Sequence, residues 1–177
     1  LILFALVGWA VSIYNALVRL RETADAAWAD IDVQLKRRHD LVPNLVETVK
    51  GYASHEKETF DAVIQARSRA MSADGPAEQG AAESVLGGML GRLFALAEAY
   101  PELKASEGFR SLQHSLTDLE TAIQNARRYY NAVVRDYNTK VQTLPSAIVA
   151  RSFGFGEREF FEIGEGEAAV PKVDFGE

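Results

Sequence analysis

The sequence predicts an all-α protein: an N-terminal transmembrane helix that continues into an up-and-down four-helix bundle with long antiparallel helices. Three observations carry that prediction. Residues Leu1 to Val18 hold no charged side chain, and every charge in the chain follows them. Apolar residues then recur at spacings of three and four through most of the chain up to Pro145, the period of a helix with one buried face. No segment before Pro145 sustains the period-two alternation of a half-buried strand.

The anchor, residues 1–18, reads LILFALVGWAVSIYNALV and is apolar except for Ser12, Tyr14 and Asn15. As a helix it spans about 27 Å, slightly less than a hydrocarbon core of about 30 Å. Because the sequence starts at Leu1 and not at a methionine, the span is expected to begin before it. Trp9 and Tyr14 carry the amphipathic rings that favour a membrane interface. A buried core helix and a cleaved signal peptide are the competing readings. The stretch WAVSIYNALVRLRE offers no good small-residue cleavage site, which favours a retained single-pass anchor. Arg19 and Arg21 follow at once and favour a cytoplasmic body.

The body is expected over residues 19–145. Leu17, Leu20, Ala24, Trp28, Ile31 and Leu35 extend the anchor helix into it. A second helix follows Asp40, which can cap it, with Pro43 in its first turn, where the missing N–H costs little. Its apolar face is Val42, Leu45, Val46, Val49, Tyr52, Phe60, Val63 and Ile64. Residues 39–43 are therefore read as a turn, with a kink in one helix running to Met71 as the alternative. MSADGPAEQG reads as a loop. A third helix carries Leu86, Leu90, Leu93 and Ala97 and stops at Tyr100-Pro101. The fourth runs through Phe109, Leu112, Leu116, Leu119, Ile123, Ala126, Tyr130, Val133, Tyr137 and Val141, a bundle or coiled-coil seam. Residues 146–177 form a tail, aromatic and glycine-rich at first, then acidic, with the last dozen residues expected to be poorly ordered. Phe153, Phe155, Phe160 and Phe161 either close the bundle or dock on a neighbouring subunit or membrane; packing on the chain's own bundle is favoured.

Composition removes several functions. About 160 residues remain beyond the anchor, enough for one domain with a core. A net charge of -6 leaves no cationic excess for phosphates, so no nucleic-acid partner is expected. The chain has no cysteine, hence no disulfide, thiolate nucleophile, zinc-thiolate site or lipidated cysteine. His39, His55 and His114 lie too far apart for HExxH, and the Glu-x-x-His pairs of di-iron bundles are missing. His55-Glu56 with Glu58 and Asp61 reads as a solvated helix face in preference to a metal cluster. No GxSxG, P-loop or GxGxxG motif occurs. No catalytic residue, metal or cofactor is expected. Gly87, Gly88 and Gly91 interrupt a helical pattern; they either admit a close helix contact or leave the helix loose.

The charges that remain suggest structure before chemistry. Lys36, Arg37 and Arg38 form a basic knot preceded by Asp30 and Asp32. Asp32 and Lys36 have the i,i+4 spacing of an ion pair. In Arg127-Arg128-Tyr129-Tyr130-Asn131 one arginine must lie near the seam, where an unpaired charge would be expensive. It is expected to meet Asp30, Asp32 or Asp40. The candidate structural network includes Asp30, Asp32, Arg38, Asp40, Arg127, Arg128 and Asn131. Candidate interaction residues are Lys36, Arg37, Phe153, Phe155, Phe160 and Phe161.

The stretch from Tyr14-Asn15 to Leu20-Arg21, followed by AWADIDVQLKRRHDLVPNLVETVKGYASHE, resembles the LemA family of bacterial membrane proteins. LFALAEAYPELKA, ARRYYNAVVRDYNTKV and SFGFGEREFFE follow in the family's order. The likeness runs from Leu1 to Glu162, and KRRHDLVPNLVETVKGY is its most specific part. It implies a short transmembrane segment with a helical bundle, no established activity, and relatives tied to magnetosome membranes or to membrane proteases. It also implies interest in Trp28, Asp32, Arg38, Asp40, Pro43, Asn44, Tyr52, Tyr100, Pro101, Arg128, Asn131, Tyr137 and Asn138, and so adds Asn44 and Asn138 to the candidate structural network. The glycine cluster departs from the family's third helix, and the lipoprotein cysteine of some relatives is missing here.

Together these readings give a membrane-anchored structural or scaffolding protein that self-associates, with the bilayer and other copies of itself as partners. An adaptor for a membrane protease or other membrane protein is the alternative, and a metal-binding bundle enzyme a minor one.

Overall fold

A computed structural model describes residues 2–164. Its elements are α1 (Ile2–Lys50), α2 (Lys57–Ser72), α3 (Gly75–Ala97), α4 (Pro101–Ala105), α5 (Glu107–Gln142) and α6 (Ser146–Ser152), with no strand among the described residues. The all-α prediction therefore holds. The expected disorder of the last dozen residues lies outside the described part.

Residues 39–43 are helical, which corrects the turn favoured there: α1 continues through Pro43 without a break. The break comes later, at residues 51–56. There the amides of Tyr52 and Ala53 both reach the Val49 carbonyl, at 3.0 Å each, and end the helix at Gly51. Val42, Leu45, Val46 and Val49 thus belong to α1, while Phe60 and Val63 belong to α2. Tyr52 and Ile64, expected on the apolar face, are exposed.

The loop expected over MSADGPAEQG shrinks to two residues, 73 and 74. Pro76 opens the first turn of α3, where its missing N–H costs little. Glu78 reaches back to accept from the Asp74 amide at 3.3 Å, giving the N-cap amide a partner. So short a connection makes α2 and α3 an antiparallel hairpin. At the start of α5, Ser106 Oγ accepts from the Phe109 amide at 3.2 Å, an N-terminal cap. Gly154, at φ 72°, ends α6 in the left-handed region. The Phe155 amide then closes on the Ala150 carbonyl at 2.9 Å, the bond of a Schellman cap.

The chain divides into two compact units. One comprises the chain up to Gln34 with Ala122–Phe160; the other comprises Leu35–Thr121 with the chain from Phe161. The second unit is a bundle of α1, α2, α3 and α5 segments. Its core includes Val42, Leu45, Val63, Leu86, Leu93 and Leu116, and Leu103 of α4 joins it. The first unit packs Leu17 against Tyr137, Val149, Ala150 and Phe155, with Ile13, Val18 and Leu20 partly buried beside them.

Candidate functional site

In the second unit a charge cluster sits inside the bundle. Glu83 of α3 is completely buried, and Arg38 and His39 of α1 are nearly so. One Glu83 oxygen takes a very short hydrogen bond from an Arg38 guanidinium nitrogen. The other lies 2.6 Å from His39 Nε2 and accepts from Gln79 Nε2 at 2.8 Å. The second guanidinium nitrogen of Arg38 donates to Glu120 of α5 at 2.7 Å. Burial pushes the Glu83 carboxyl upward, but the His39 hydrogen bond and the Arg38 charge outweigh it and hold the group below its ordinary value. A buried carboxylate is tolerable only when paired and hydrogen-bonded on both oxygens, and Glu83 meets that condition. Arg38 Nε is a buried polar atom without a hydrogen-bond partner.

Helix geometry sorts the basic knot. Successive residues turn by about 100°, so one of three adjacent cations faces inward while its neighbours face out. Arg38 is buried, and Lys36 and Arg37 are exposed. The same interior resolves Pro43. A proline cannot donate to the carbonyl four residues before it, here that of His39. Arg67 of α2 supplies the donor, its Nε lying 2.7 Å from that carbonyl.

In the first unit the tail is tied down by side chains of α5. Asn138 pairs with the backbone of Arg158 in both directions, donating to its carbonyl and accepting from its amide, each at 2.9 Å. The Tyr130 hydroxyl donates to the Glu159 carbonyl at 2.9 Å. Burial raises the Tyr130 phenol above its ordinary value. Burial works against the charge of Arg158 as well, but its close pairing with Asp25 outweighs this and raises it. Nearer the N-terminus, Tyr14 meets Phe153 and Phe155 edge-on, with centroids 4.9 and 5.5 Å apart. The Arg21 guanidinium lies 5.3 Å above the Phe155 ring. In the second unit the tail crosses α3 so closely that a Cβ on Gly80 would fall 2.1 Å from the Glu162 carbonyl oxygen.

Of the residues singled out in the sequence, Arg38 and Asn138 are buried in polar contacts, and Asp32, Arg127 and Asn131 are half-buried. Asp30, Asp40 and Asn44 are exposed. Of Arg127 and Arg128, one of which is expected near the seam, Arg127 is half-buried, while Arg128 is exposed and donates to Asn125 on its own helix. Tyr130 and Tyr137 occupy the inward positions and turn Arg128 outward. Phe155 and Phe161 are buried, Phe160 is half-buried and Phe153 is exposed. Gly88 and Gly91 have nothing within 4 Å of a notional Cβ. The decisive Glu83 was missed, although a signal existed. Positions 83, 86, 90, 93 and 97 form one stripe, so Glu83 is a charge in phase with an apolar face.

The sequence profile of the LemA family matches residues 27–175. The magnetosome protein MamQ of Magnetospirillum gryphiswaldense is 28% identical over 174 residues, covering 84% of this chain and 64% of MamQ. MamQ 2 of Paramagnetospirillum magneticum is 27% identical, with the same coverage. The chain thus spans less than two thirds of these relatives. Protein LemA of Metamycoplasma hominis is 27% identical over 164 residues, covering 90% of this chain and 72% of that protein.

Proposed function

The chain belongs to the LemA family, and from that membership we propose that it is a membrane-anchored structural protein that self-associates and organises partners at the cell membrane, without catalysing a reaction. The observation that carries this reading is the state of the buried charges. Both oxygens of Glu83 are engaged by Arg38, His39 and Gln79 of the same chain. A carboxylate so committed holds α3 against α1 and leaves no free valence for a substrate.

Membrane attachment is supported by α1, which is long and apolar enough to cross a bilayer near the N-terminus and is largely uncovered there. Self-association is supported by Asn15, an exposed amide in that apolar stretch; such groups in or near lipid bond across helices. Purified protein in detergent should therefore form a large discrete particle by mass photometry. A monomer or dimer would refute the scaffold. It would favour the second reading, an adaptor that holds a membrane protein through the exposed Lys36 and Arg37. Charge reversal at those two residues would then release the partner.

A further inference from the structure

We propose that the outer face of α6 and the turns on either side of it form a collar that seats the first unit on the bilayer, on an anionic headgroup surface. The inference rests on α1 entering the membrane and adds a second, peripheral contact to it. Ala147, Val149 and Ala150 turn inward, and they leave three large apolar side chains facing out. Leu144 is 77% exposed, Ile148 62% and Phe153 64%. Residues of that size are not left in water together without a reason.

Their position supplies the reason. Phe153 lies edge-on to Tyr14 at 4.9 Å, so the exposed ring is fixed beside the apolar segment of α1. Ile2, Leu3, Phe4, Leu6, Val7, Trp9 and Val11 of that segment are themselves exposed. The collar continues an apolar surface that already requires lipid.

Charge points the same way. Residues 2–21 and 137–156 contain no aspartate or glutamate, and their charged side chains are Arg19, Arg21, Lys140 and Arg151. Arg151 is exposed one turn after Ile148, on the same face of α6. Apolar side chains flanked by exposed cations make up the surface of an interfacial helix, whose apolar face sits about 5–10 Å into the headgroup and acyl boundary. Each cation close to an anionic surface adds attraction. The net charge of -6 makes this acid-free zone the part of the body suited to such a surface.

The absence of cysteine makes the test direct. Single-cysteine variants Val7→Cys, Ile148→Cys and Asp136→Cys of the full chain are spin-labelled and reconstituted in vesicles of phosphatidylcholine with or without phosphatidylglycerol. Accessibility to oxygen and to a water-soluble nickel chelate is then read at each. The expected result is an oxygen-to-nickel ratio several-fold higher at Ile148→Cys than at Asp136→Cys, and higher with phosphatidylglycerol than without. A ratio at Ile148→Cys equal to that of Asp136→Cys, with Val7→Cys in lipid, overturns the collar and leaves the anchor standing. An aqueous Val7→Cys overturns both. A label at Ile148→Cys shielded from both reagents means that a second copy covers the face, which also overturns the proposal. Equal ratios in the two vesicle types overturn the anionic preference.

Discussion

Arg67 donates its Nε proton to the His39 carbonyl at 2.7 Å, the carbonyl that Pro43, four residues on, leaves without a helical donor. This bond explains how a helix survives an internal proline. It also couples α2 to α1 at the level of the buried charges, since the next residue inward is Arg38.

If Arg67 compensates for Pro43, removing it exposes the defect. Arg67→Met should destabilise the protein by about 1–3 kcal/mol, the cost of an unsatisfied buried acceptor. Pro43→Ala restores the N–H and should offset most of that loss in the double variant. Chemical denaturation of the four proteins of this cycle measures the coupling.

This relationship also shows why the start of the bundle was misread. Asp40 and Pro43 spell a helix start in sequence, and local signals alone favour a turn there. The donor that overrides them comes from residue 67, and no local pattern records it. The apolar phase Leu35, Val42, Val46, Val49 did survive across the proline and was the better guide. The helical fold and the long seam of α5 were legible because helical periodicity encodes burial directly, and Asn138 was marked by the family resemblance. The sequence points to Arg127 or Arg128 as the arginine near the seam, with Asp30, Asp32 or Asp40 as its partner, whereas the buried pair is Arg38 with Glu83. Glu83, on a different helix, lay in phase with Leu86, Leu90 and Leu93, so periodicity applied to charges would have exposed it.

Glu83→Ala should cost about 3–5 kcal/mol, because it leaves Arg38 buried with its closest counter-charge gone. Stability should also depend on acid. The Glu83 carboxyl is held below its ordinary 4.5, so its contribution is fully present above that value and is lost as pH falls through the depressed one. Denaturation midpoints measured from neutral pH downward should fall in the wild type. The fall should be shallower in Glu83→Gln, which cannot ionise at this position.

Two kinds of glycine should behave in opposite ways. Gly80→Ala places a methyl group where the Glu162 backbone runs and should release the tail from α3, read as faster amide exchange from residue 161 onward. Gly88→Ala and Gly91→Ala meet open space in the interior of a helix and should each stabilise by roughly 0.5–1 kcal/mol.

Asn138 holds both polar groups of the Arg158 backbone. Asn138→Asp keeps the acceptor and loses the donor to the Arg158 carbonyl. It should cost about 1–3 kcal/mol and increase proteolytic cleavage around residue 158. Tyr130→Phe removes one bond to the same segment and should cost less.

Association of the bundle with copies of itself in a membrane, the core of the proposed function, is open to a test by lipid dilution. Ser68 is exposed, so Ser68→Cys can be labelled with donor and acceptor dyes in separate pools and co-reconstituted in vesicles over a wide range of lipid-to-protein ratios. Energy transfer that stays constant as lipid is added is the predicted result, because a specific assembly does not dissolve on dilution within the range of its affinity. Transfer that falls in proportion to protein density, as random encounters do, would contradict self-association and leave an anchored monomer whose partners are other proteins.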